Sequence, residues 1–210
     1  ENLQRSLLDS VSHELRTPLV TITGALSMLD EDADRLDGDS RRSLAASARE
    51  EAERLNRIVA NLLSMSRLQA GAMHLVRQNT DVEDLVGSAL EALGHRASGR
   101  LIETQVPAGL PMVGVDFVLV VQVLVNLLDN ALKYAPADQP ITISADSVEG
   151  FVRVHVADRG PGIPPADLER VFEKFYRVER SGAAHGTGLG LSICRGIVEA
   201  HGGRIWAEAG

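Results

Sequence analysis

Apolar residues recur every three or four positions near the start of the chain, which is the spacing of one face of a long helix. The members of this face are Leu8, Val11, Leu15, Leu19, Ile22, Leu26 and Leu29. The pattern predicts a helix from about Leu3 to Asp32, and a second run of the same period predicts another that ends near Gly71. Asp39 or Ser40 is the expected N-cap of the second helix. An antiparallel hairpin of this kind buries a single seam, so we expect two copies to pair in a four-helix bundle.

After residue 71 the pattern changes to short alternating strands and shorter amphipathic helices. The expected strands are residues 73–78, 100–106, 112–115, 141–147, 151–157 and 204–207, and the expected helices are residues 81–93 (capped by Thr80), 117–134, 165–175 and 188–200. We therefore expect an α+β fold in two domains, with a helical hairpin over 1–71 and a largely antiparallel sheet covered by helices over 72–210. A last strand that starts so near residue 210 suggests a domain cut short at its C-terminus.

Composition narrows the class of protein. The net charge of −8, without basic runs that interleave with aromatic residues, argues against a nucleic-acid binder. No apolar run reaches the length of a membrane span, and no signal-peptide pattern opens the chain, so we expect a cytoplasmic fragment with no membrane contact of its own. A single cysteine, Cys194, excludes an internal disulfide, and its apolar helical surroundings predict a buried, inert thiol.

The first predicted helix carries residues capable of chemistry beside its apolar face. Thr17 follows His13 by four positions, so the two side chains share a face, whereas Glu14 reaches the imidazole only by its length. Pro18 removes a backbone N–H and predicts a bend just past His13. A neutral imidazole is a competent nucleophile near neutral pH, and a nearby carboxylate can accept its other proton. Taken alone, a histidine on a helix flank is usually an ordinary surface residue.

The predicted helix 117–134 is strongly apolar, yet it carries Asn126 and Asn130 one turn apart. Two carboxamides on such a helix are costly to bury without partners. Their oxygens could complete a Mg²⁺ shell, and Lys133 could supply charge to a phosphate. For this helix taken alone, a structural pair of capping or core amides is the favoured explanation.

Two glycine-rich stretches follow in the same predicted domain. Asp158 comes directly after a predicted strand, and Gly160 and Gly162 would allow close backbone approach. A carboxylate there could accept a hydrogen bond from an exocyclic amine such as that of adenine, although the loop could equally be a hairpin turn. The second stretch opens a helix, whose N-terminal amides favour anions, and reads Gly186-Thr187-Gly188-Leu189-Gly190-Leu191. It lacks the Lys and Ser/Thr of a Walker loop.

The order of these signals resembles the sensor histidine kinases of bacterial two-component systems. Residues 12–19 (SHELRTPL) look like the phosphoacceptor box, 126–134 (NLLDNALKY) like the N box, 158–162 (DRGPG) like the first glycine box, 172–177 (FEKFYR) like the F box and 186–190 (GTGLG) like the second glycine box. The resemblance covers essentially the whole chain, and the sequence around the boxes is most similar to that of the KdpD subgroup. It implies a dimerisation and histidine-phosphotransfer bundle joined to a Bergerat-type α/β sandwich that binds ATP.

By this resemblance, the polar residues of helix 117–134 bind the phosphate end of the nucleotide. Asn126 would hold Mg²⁺, Asn130 and Lys133 would lie near the phosphates, and Tyr134 would lie by the nucleotide. ATP and Mg²⁺ are therefore the expected substrate and metal.

The resemblance also assigns the residues that follow strand 151–157. Asp158 would receive the adenine amine, and Gly160 and Gly162 would pack against the base. Lys174 and Arg177 could approach phosphate, next to a mobile ATP lid over residues 178–187. The closing hinge and phosphate nest would be formed by Gly186, Gly188, Leu189 and Gly190, and Thr187, at the end of the lid, would also bind the nucleotide.

The implied reaction is autophosphorylation of His13 from Mg-ATP, with Glu14 as base or orienting acceptor. The phosphoryl group would then pass to an aspartate of a response regulator, and Thr17 would position water for a phosphatase activity. The implied assembly is a homodimer within a parent protein anchored in the bacterial inner membrane. The turn between the two helices does not decide whether phosphorylation occurs within one subunit or across the dimer.

Two other classes of function stay open at this point. The first is a non-catalytic scaffold that binds ATP without forming phosphohistidine. The second is a gyrase-like or chaperone-like ATPase, which uses a carboxylate one turn before the position of Asn130 to activate water. In this chain that position is Asn126, and because an amide cannot act as a general base, steady ATP hydrolysis is disfavoured.

Overall fold

The chain divides into two compact units, Glu1–Ser66 and Arg67–Gly210. A computed structural model describes residues 2–31, 35–69, 74–178 and 188–209, with the side chains of residues 2–11, 13 and 69 excluded. The first unit consists of helix α1, Asn2–Glu31, and most of helix α2, Gly38–Gln69. The two helices predicted from the apolar period are therefore present.

A proline lies inside α1, and an aspartate caps the start of α2. Pro18 lies inside α1, is fully buried, and does not interrupt the helix. The backbone N–H of Ser40 donates to Oδ1 of Asp37 at 2.7 Å, so the prediction that Asp39 or Ser40 caps α2 is wrong and Asp37 is the cap. The same hydrogen bond lowers the pKa of Asp37 below its usual value.

The hairpin buries little and exposes much. Its buried apolar side chains are Pro18, Ala25, Ala48, Ile58 and Met65. Its large exposed ones include Leu19, Val20, Leu26, Met28, Val59 and Leu63. A stripe of this kind, repeated along both helices, is typical of a surface that another helix covers.

The second unit contains three helices and five strands among its described residues. In chain order they are β1 Gln78–Thr80, α3 Val82–Leu93, β2 Ile102–Gln105, β3 Val113–Val115, α4 Phe117–Tyr134, β4 Ile141–Val148, β5 Phe151–Ala157 and α5 Gly190–Ala200. The carboxylate of Asp81 accepts from the backbone N–H of Glu83, so Asp81 caps α3 and the prediction of Thr80 is wrong. The bounds of α4 match the predicted helix.

The strands form two small sheets. β1 pairs antiparallel with β3, and the other sheet has the order β2-β4-β5. In that sheet β4 and β5 form an antiparallel hairpin, with Thr142 opposite Ala157. β2 and β4 run parallel, with Ile102 opposite Ile141, because α4 carries the chain back across the unit between them. The expected single, largely antiparallel sheet is therefore split and partly parallel.

The core of the second unit lies between these strands and the helices α3 and α4. Ile141, Ile143 and Ala145 of β4 are buried and alternate with more exposed residues, as the period of a strand requires. The same cluster contains Leu85, Val86, Ala89 and Leu93 of α3 and Leu124, Leu128 and Ala131 of α4. α4 is long and apolar enough to cross a membrane, but a core helix passes the same test, so this is weak evidence for a span.

Three other predicted elements differ from the structure. The first strand spans Gln78–Thr80, and Met73, where it was predicted to begin, lies outside the described residues. The helix predicted over 165–175 is two short 3-10 turns, Pro165–Asp167 and Arg170–Phe172. Residues 203–209 form no strand, because none of the described strands pairs with them. An isolated strand has unsatisfied backbone groups on both edges, so pairing decides whether one forms.

Candidate functional site

Helix α4 presents its polar residues from the middle to the C-terminal end. Asp116 begins the helix, since its Oδ1 accepts from the backbone N–H of Leu119 at 3.2 Å. Asn126, Asn130 and Lys133 are all half-buried. They lie at spacings of four and three, so one stripe of the helix carries two carboxamides and an ammonium group.

The amide nitrogen of Asn126 has no hydrogen-bond partner in the part of the chain that the structure describes. This Nδ2 atom is buried. The thiol of Cys194 lies close to it, but sulfur is a weak acceptor and the geometry falls short of a hydrogen bond. A buried polar atom without a partner is rare in native proteins, and it fits a side chain that completes its contacts with water or a ligand.

Cys194 itself lies fully within the core of the second unit, as predicted. Its Sγ is 3.8 Å from the carbonyl oxygen of Val123. Burial raises the pKa of the thiol to about 12, so it stays protonated at neutral pH. Since a thiol without thiolate character is a poor nucleophile, Cys194 acts as a small core residue here.

The loop after β5 meets the C-terminal end of α4. The backbone N–H of Gly160 donates to Oδ1 of Asp158 at 2.7 Å, which fixes the carboxylate in a tight turn. A Cβ at Gly160 would lie 3.1 Å from the carbonyl oxygen of Tyr134 and 2.6 Å from Oδ1 of Asp158. Only glycine therefore lets this loop approach α4, and Asp158 and Tyr134 come to the same end of the site. Gly162, with φ +68°, continues the loop.

Lys133 and Tyr134 end α4 beside that loop. The Nζ of Lys133 lies 4.9 Å from the centroid of the Tyr134 ring, and the residue Tyr134 is 45% exposed. An aromatic face next to a cation suits a planar, partly charged ligand. The loop 158–162 and the end of α4 at Tyr134, which are separated in the sequence, thus lie side by side.

The start of α5 is fixed by a contact that the sequence did not predict. Phe175 has φ +65°, an uncommon conformation for a bulky residue. Its backbone N–H donates to the carbonyl oxygen of Gly188 at 2.9 Å, and a Cβ at Gly188 would lie 2.8 Å from the Phe175 backbone. Gly188, itself at φ +68°, therefore permits a close crossing of two chain segments at the N-terminal end of α5.

The residues predicted around this crossing have different environments. Lys174 and Arg177 are both exposed. Leu189 is 1% exposed and belongs to the core, whereas Gly190 is the first residue of α5 and has open space around it. Gly186 and Thr187 lie outside the described residues.

A polar cluster supports the segment that precedes Phe175. The hydroxyl of Tyr176 donates to Oδ1 of Asp167 at 2.5 Å, and the guanidinium of Arg170 lies 4.2 Å from the Tyr176 ring centroid. The carboxylate raises the pKa of the tyrosine hydroxyl. Sequence patterns gave no signal for this cluster, because it depends on how two 3-10 turns place residues nine apart.

The other predicted site lies in the first unit, on α1. His13, Glu14 and Thr17 are all within the helix, so the i, i+4 relation between His13 and Thr17 holds along the backbone. Glu14 is half-buried and Thr17 is exposed, while the side chain of His13 lies outside the described part of the chain. The buried Pro18 follows directly.

Comparison with family models and known proteins connects the two sites. Residues 3–71 match the model of the His Kinase A (phospho-acceptor) domain. Residues 115–210 match the model of the histidine kinase-, DNA gyrase B- and HSP90-like ATPase. The solved structure of the mycobacterial sensor histidine kinase MprB is 31% identical, with TM-score 0.56 over 62% of this chain and 84% of that chain. The chain belongs to the histidine kinases, a family of ATP-dependent phosphotransferases.

Other histidine kinases match more of the chain. The sensor protein KdpD of Escherichia coli is 39% identical over 99% of this chain and 23% of its own length. The structure of histidine kinase AdeS from Acinetobacter baumannii is 27% identical, with TM-score 0.63 over 90% of this chain and 86% of that chain. Full-length ShkA, solved in complex with AMPPNP, is 30% identical with TM-score 0.66 over 98% and 43%. The chain spans about a quarter of the length of its KdpD relative.

Proposed function

We propose that this chain is the catalytic core of a sensor histidine kinase that transfers the γ-phosphoryl group of Mg-ATP to His13. The observation that carries the proposal is the pairing of a phosphoacceptor-domain match, which includes His13, with an ATPase-domain match on one chain. A histidine kinase accounts for both domain matches. An ATPase without a phosphoacceptor would explain only the second.

The second unit binds ATP in this proposal, with Asp158 accepting a hydrogen bond from the adenine amine. Its carboxylate is exposed and oriented by Gly160, which supports such a role. Gly162 and Gly160 leave room for the base, and the ring of Tyr134 packs beside it. The complex of the relative ShkA with the ATP analogue AMPPNP is consistent with this assignment.

The phosphate end of ATP lies along α4 and the start of α5. Asn126 contributes its carboxamide oxygen to Mg²⁺, and its unsatisfied Nδ2 supports a role for this side chain with a ligand. Mg²⁺ supplies charge neutralisation of the phosphate oxygens when bound. Asn130 and Lys133 contact the phosphates from the same stripe. Lys174 and Arg177 add charge from solvent, next to a phosphate nest formed by residues 186–190 with the N-terminal amides of α5.

In the reaction, an imidazole nitrogen of His13 attacks the γ-phosphorus in line with the bond to the bridging oxygen. The N–P bond forms as the P–O bond breaks, and ADP leaves with the bonding electron pair. Glu14 accepts or orients the proton on the other ring nitrogen, which keeps the attacking nitrogen's lone pair free. Its half-buried position next to His13 in the helix supports this role.

The partners follow from the same assignment. The exposed apolar stripe of the hairpin pairs with a second copy, forming a homodimeric four-helix bundle. Phosphohistidine then donates its phosphoryl group to an aspartate of a response regulator. In a separate phosphatase reaction, exposed Thr17 positions water that hydrolyses the regulator's phosphoaspartate to aspartate and inorganic phosphate. The parent protein is a sensor kinase of the KdpD type, anchored in a bacterial inner membrane.

The test is incubation with γ-labelled ATP and Mg²⁺, comparing the wild type with His13→Ala and Asn126→Ala. Acid-labile, base-stable label should appear in the wild type and be lost in both variants. His13→Ala should bind ATP with the affinity of the wild type. ATP binding by Asn126→Ala should no longer depend on Mg²⁺. His74→Ala, at an exposed histidine of the second unit, is the matched control and should be labelled normally.

Two outcomes would contradict the proposal. Label that persists in His13→Ala would show a different phosphoacceptor. ATP binding by the wild type without label, together with steady release of phosphate, would show an ATPase instead of a kinase.

A further inference from the structure

Arg100, the second residue before β2, lies with its guanidinium at the C-terminal end of α4. Nη1 donates to the carbonyl oxygen of Leu132 at 2.9 Å. Nη2 donates to the carbonyl oxygens of Ala135 at 3.3 Å and Pro136 at 3.1 Å. One side chain, 32 to 36 residues away in sequence, thus binds three carbonyl groups within residues 132–136, where the helix ends.

The guanidinium supplies hydrogen-bond donors to backbone carbonyl groups at the end of α4. The last carbonyls of a helix have no partner within it, and they form the negative end of the helix dipole. A guanidinium offers several donors in one plane and a positive charge, so it can satisfy three acceptors together. Nε of Arg100 is buried and has no hydrogen-bond partner among the described residues. The position of the guanidinium is therefore set by the three carbonyls.

The turn that Arg100 holds also carries residues of the proposed nucleotide site. Lys133 and Tyr134 lie between its bonded carbonyls. The Tyr134 carbonyl would be 3.1 Å from a Cβ at Gly160, and the N–H of Gly160 holds the carboxylate of Asp158. A shift of the turn would therefore move Gly160, and with it the group proposed to contact adenine.

We propose that Arg100 is a positioning residue that sets the selectivity of this site for adenine. The inference rests on the proposed function, in which Asp158 accepts from the adenine amine. Guanine carries a carbonyl oxygen where adenine carries that amine, so a correctly placed carboxylate favours ATP and disfavours GTP. The discrimination depends on where the carboxylate lies, and Arg100 fixes the turn against which its loop packs.

Arg96 provides a matched control within the same connection. Its guanidinium pairs with the carboxylate of Asp129 on α4 and donates to the carbonyls of Ala92 and Leu93. It therefore joins α3 to α4 as Arg100 joins β2 to α4, but it makes no hydrogen bond to residues 132–136. Loss of Arg96 tests the effect of general destabilisation without release of the turn.

The experiment measures the Kd of non-hydrolysable ATP and GTP analogues with Mg²⁺ for the wild type, Arg100→Met, Arg100→Gln, Arg100→Lys and Arg96→Met, below each melting temperature. We expect Arg100→Met to weaken ATP about tenfold and GTP little, so that the ATP/GTP preference falls by a similar factor. Arg100→Lys should recover part of the preference, because an ammonium keeps the charge but cannot bind all three carbonyls in one plane. Arg96→Met should keep the preference of the wild type.

An unchanged preference in Arg100→Met would overturn the inference, as would an equal loss in Arg96→Met. Should Arg100→Met fail to fold, the same comparison with Arg100→Gln decides, since glutamine keeps a neutral donor. A wild type that binds both analogues equally would instead overturn the proposed role of Asp158. A wild type that binds neither would overturn the proposed function itself.

Discussion

The two units solve the problem of burying apolar surface in different ways. The second unit surrounds its strands with helices, so Ile141, Ile143 and Leu128 are almost completely buried within one chain. The hairpin of the first unit leaves Leu26 54% and Leu63 55% exposed. A two-helix unit has one seam, and the rest of its apolar surface needs another partner.

The residues of the two proposed sites are brought together in different ways. In the second unit, the proposed nucleotide residues come from distant segments and are held by specific contacts, such as Gly160 against Tyr134. In the first unit, His13 and Thr17 are neighbours on one helix and need only the helix to bring them together. Neighbours on one helix need no tertiary contact to share a face, whereas residues from distant segments come together only when the unit is folded.

The largest expected effect comes from placing a charge on the apolar stripe of the hairpin. Leu26→Glu should raise the Kd of the dimer by about 1,000-fold, roughly 4 kcal/mol, because a symmetric interface would bury two unpaired carboxylates. Sedimentation equilibrium measures the effect. Ser27→Glu, at the adjacent exposed position, is the control and should leave the dimer intact. A Leu26→Glu protein that dimerises normally would remove the stripe from the interface.

The next largest effect is on the stability of each unit when a large apolar side chain is shortened. Ile143→Ala should lower the free energy of unfolding of the second unit by about 2–5 kcal/mol, because it leaves a cavity in a closed core. Leu63→Ala should lower stability by an amount that depends on protein concentration, since the proposed dimer is what would cover its surface. Thermal unfolding over a hundredfold range of concentration distinguishes them. A Leu63→Ala effect that is constant across the range would contradict the comparison.

A smaller effect is expected where Gly188 crosses Phe175. Gly188→Ala should destabilise the second unit by about 1–3 kcal/mol, because its φ of +68° and the 2.8 Å approach both disfavour a Cβ. Gly87→Ala, in the exposed part of α3 with open space around it, should stabilise by about 0.5–1 kcal/mol. Urea unfolding measures both variants. A Gly188→Ala protein as stable as the wild type would show that the crossing does not require glycine.

The smallest effect concerns one carboxylate in each unit. The Ser40 N–H lowers the pKa of Asp37, and hydrogen bonding by Arg153 lowers that of Asp146. Each therefore contributes stability above the usual pKa of 3.8, and this contribution is lost as the pH falls through the lowered folded-state value. Asp37→Asn and Asp146→Asn should be less stable than the wild type at pH 7, and the difference should shrink below pH 4. A difference that grows on acidification would reverse the assigned direction.

The elements that could be predicted from sequence are those with a strong local signal. The helix Phe117–Tyr134 has the bounds that the sequence predicts, because a strongly apolar run defines it. The hairpin of β4 and β5 follows from two alternating segments around Glu149 and Gly150, both at positive φ. The cap of α2, by contrast, was predicted two or three residues late. Several adjacent residues could serve as caps, and the backbone geometry selects one.

In the candidate site, too, local features could be predicted from the sequence and long-range contacts could not. Sequence spacing by itself determined that Asn126, Asn130 and Lys133 share one stripe of a helix, since helical geometry relates residues three and four apart without reference to anything else. Only the tertiary structure decided that Gly160 meets Tyr134, that Phe175 adopts a positive φ against Gly188, and that Arg100 binds the end of α4. Each of these contacts joins segments far apart in the chain. Such contacts form because the folded chain has enclosed polar backbone groups that must find partners, and no local pattern encodes which partner is near.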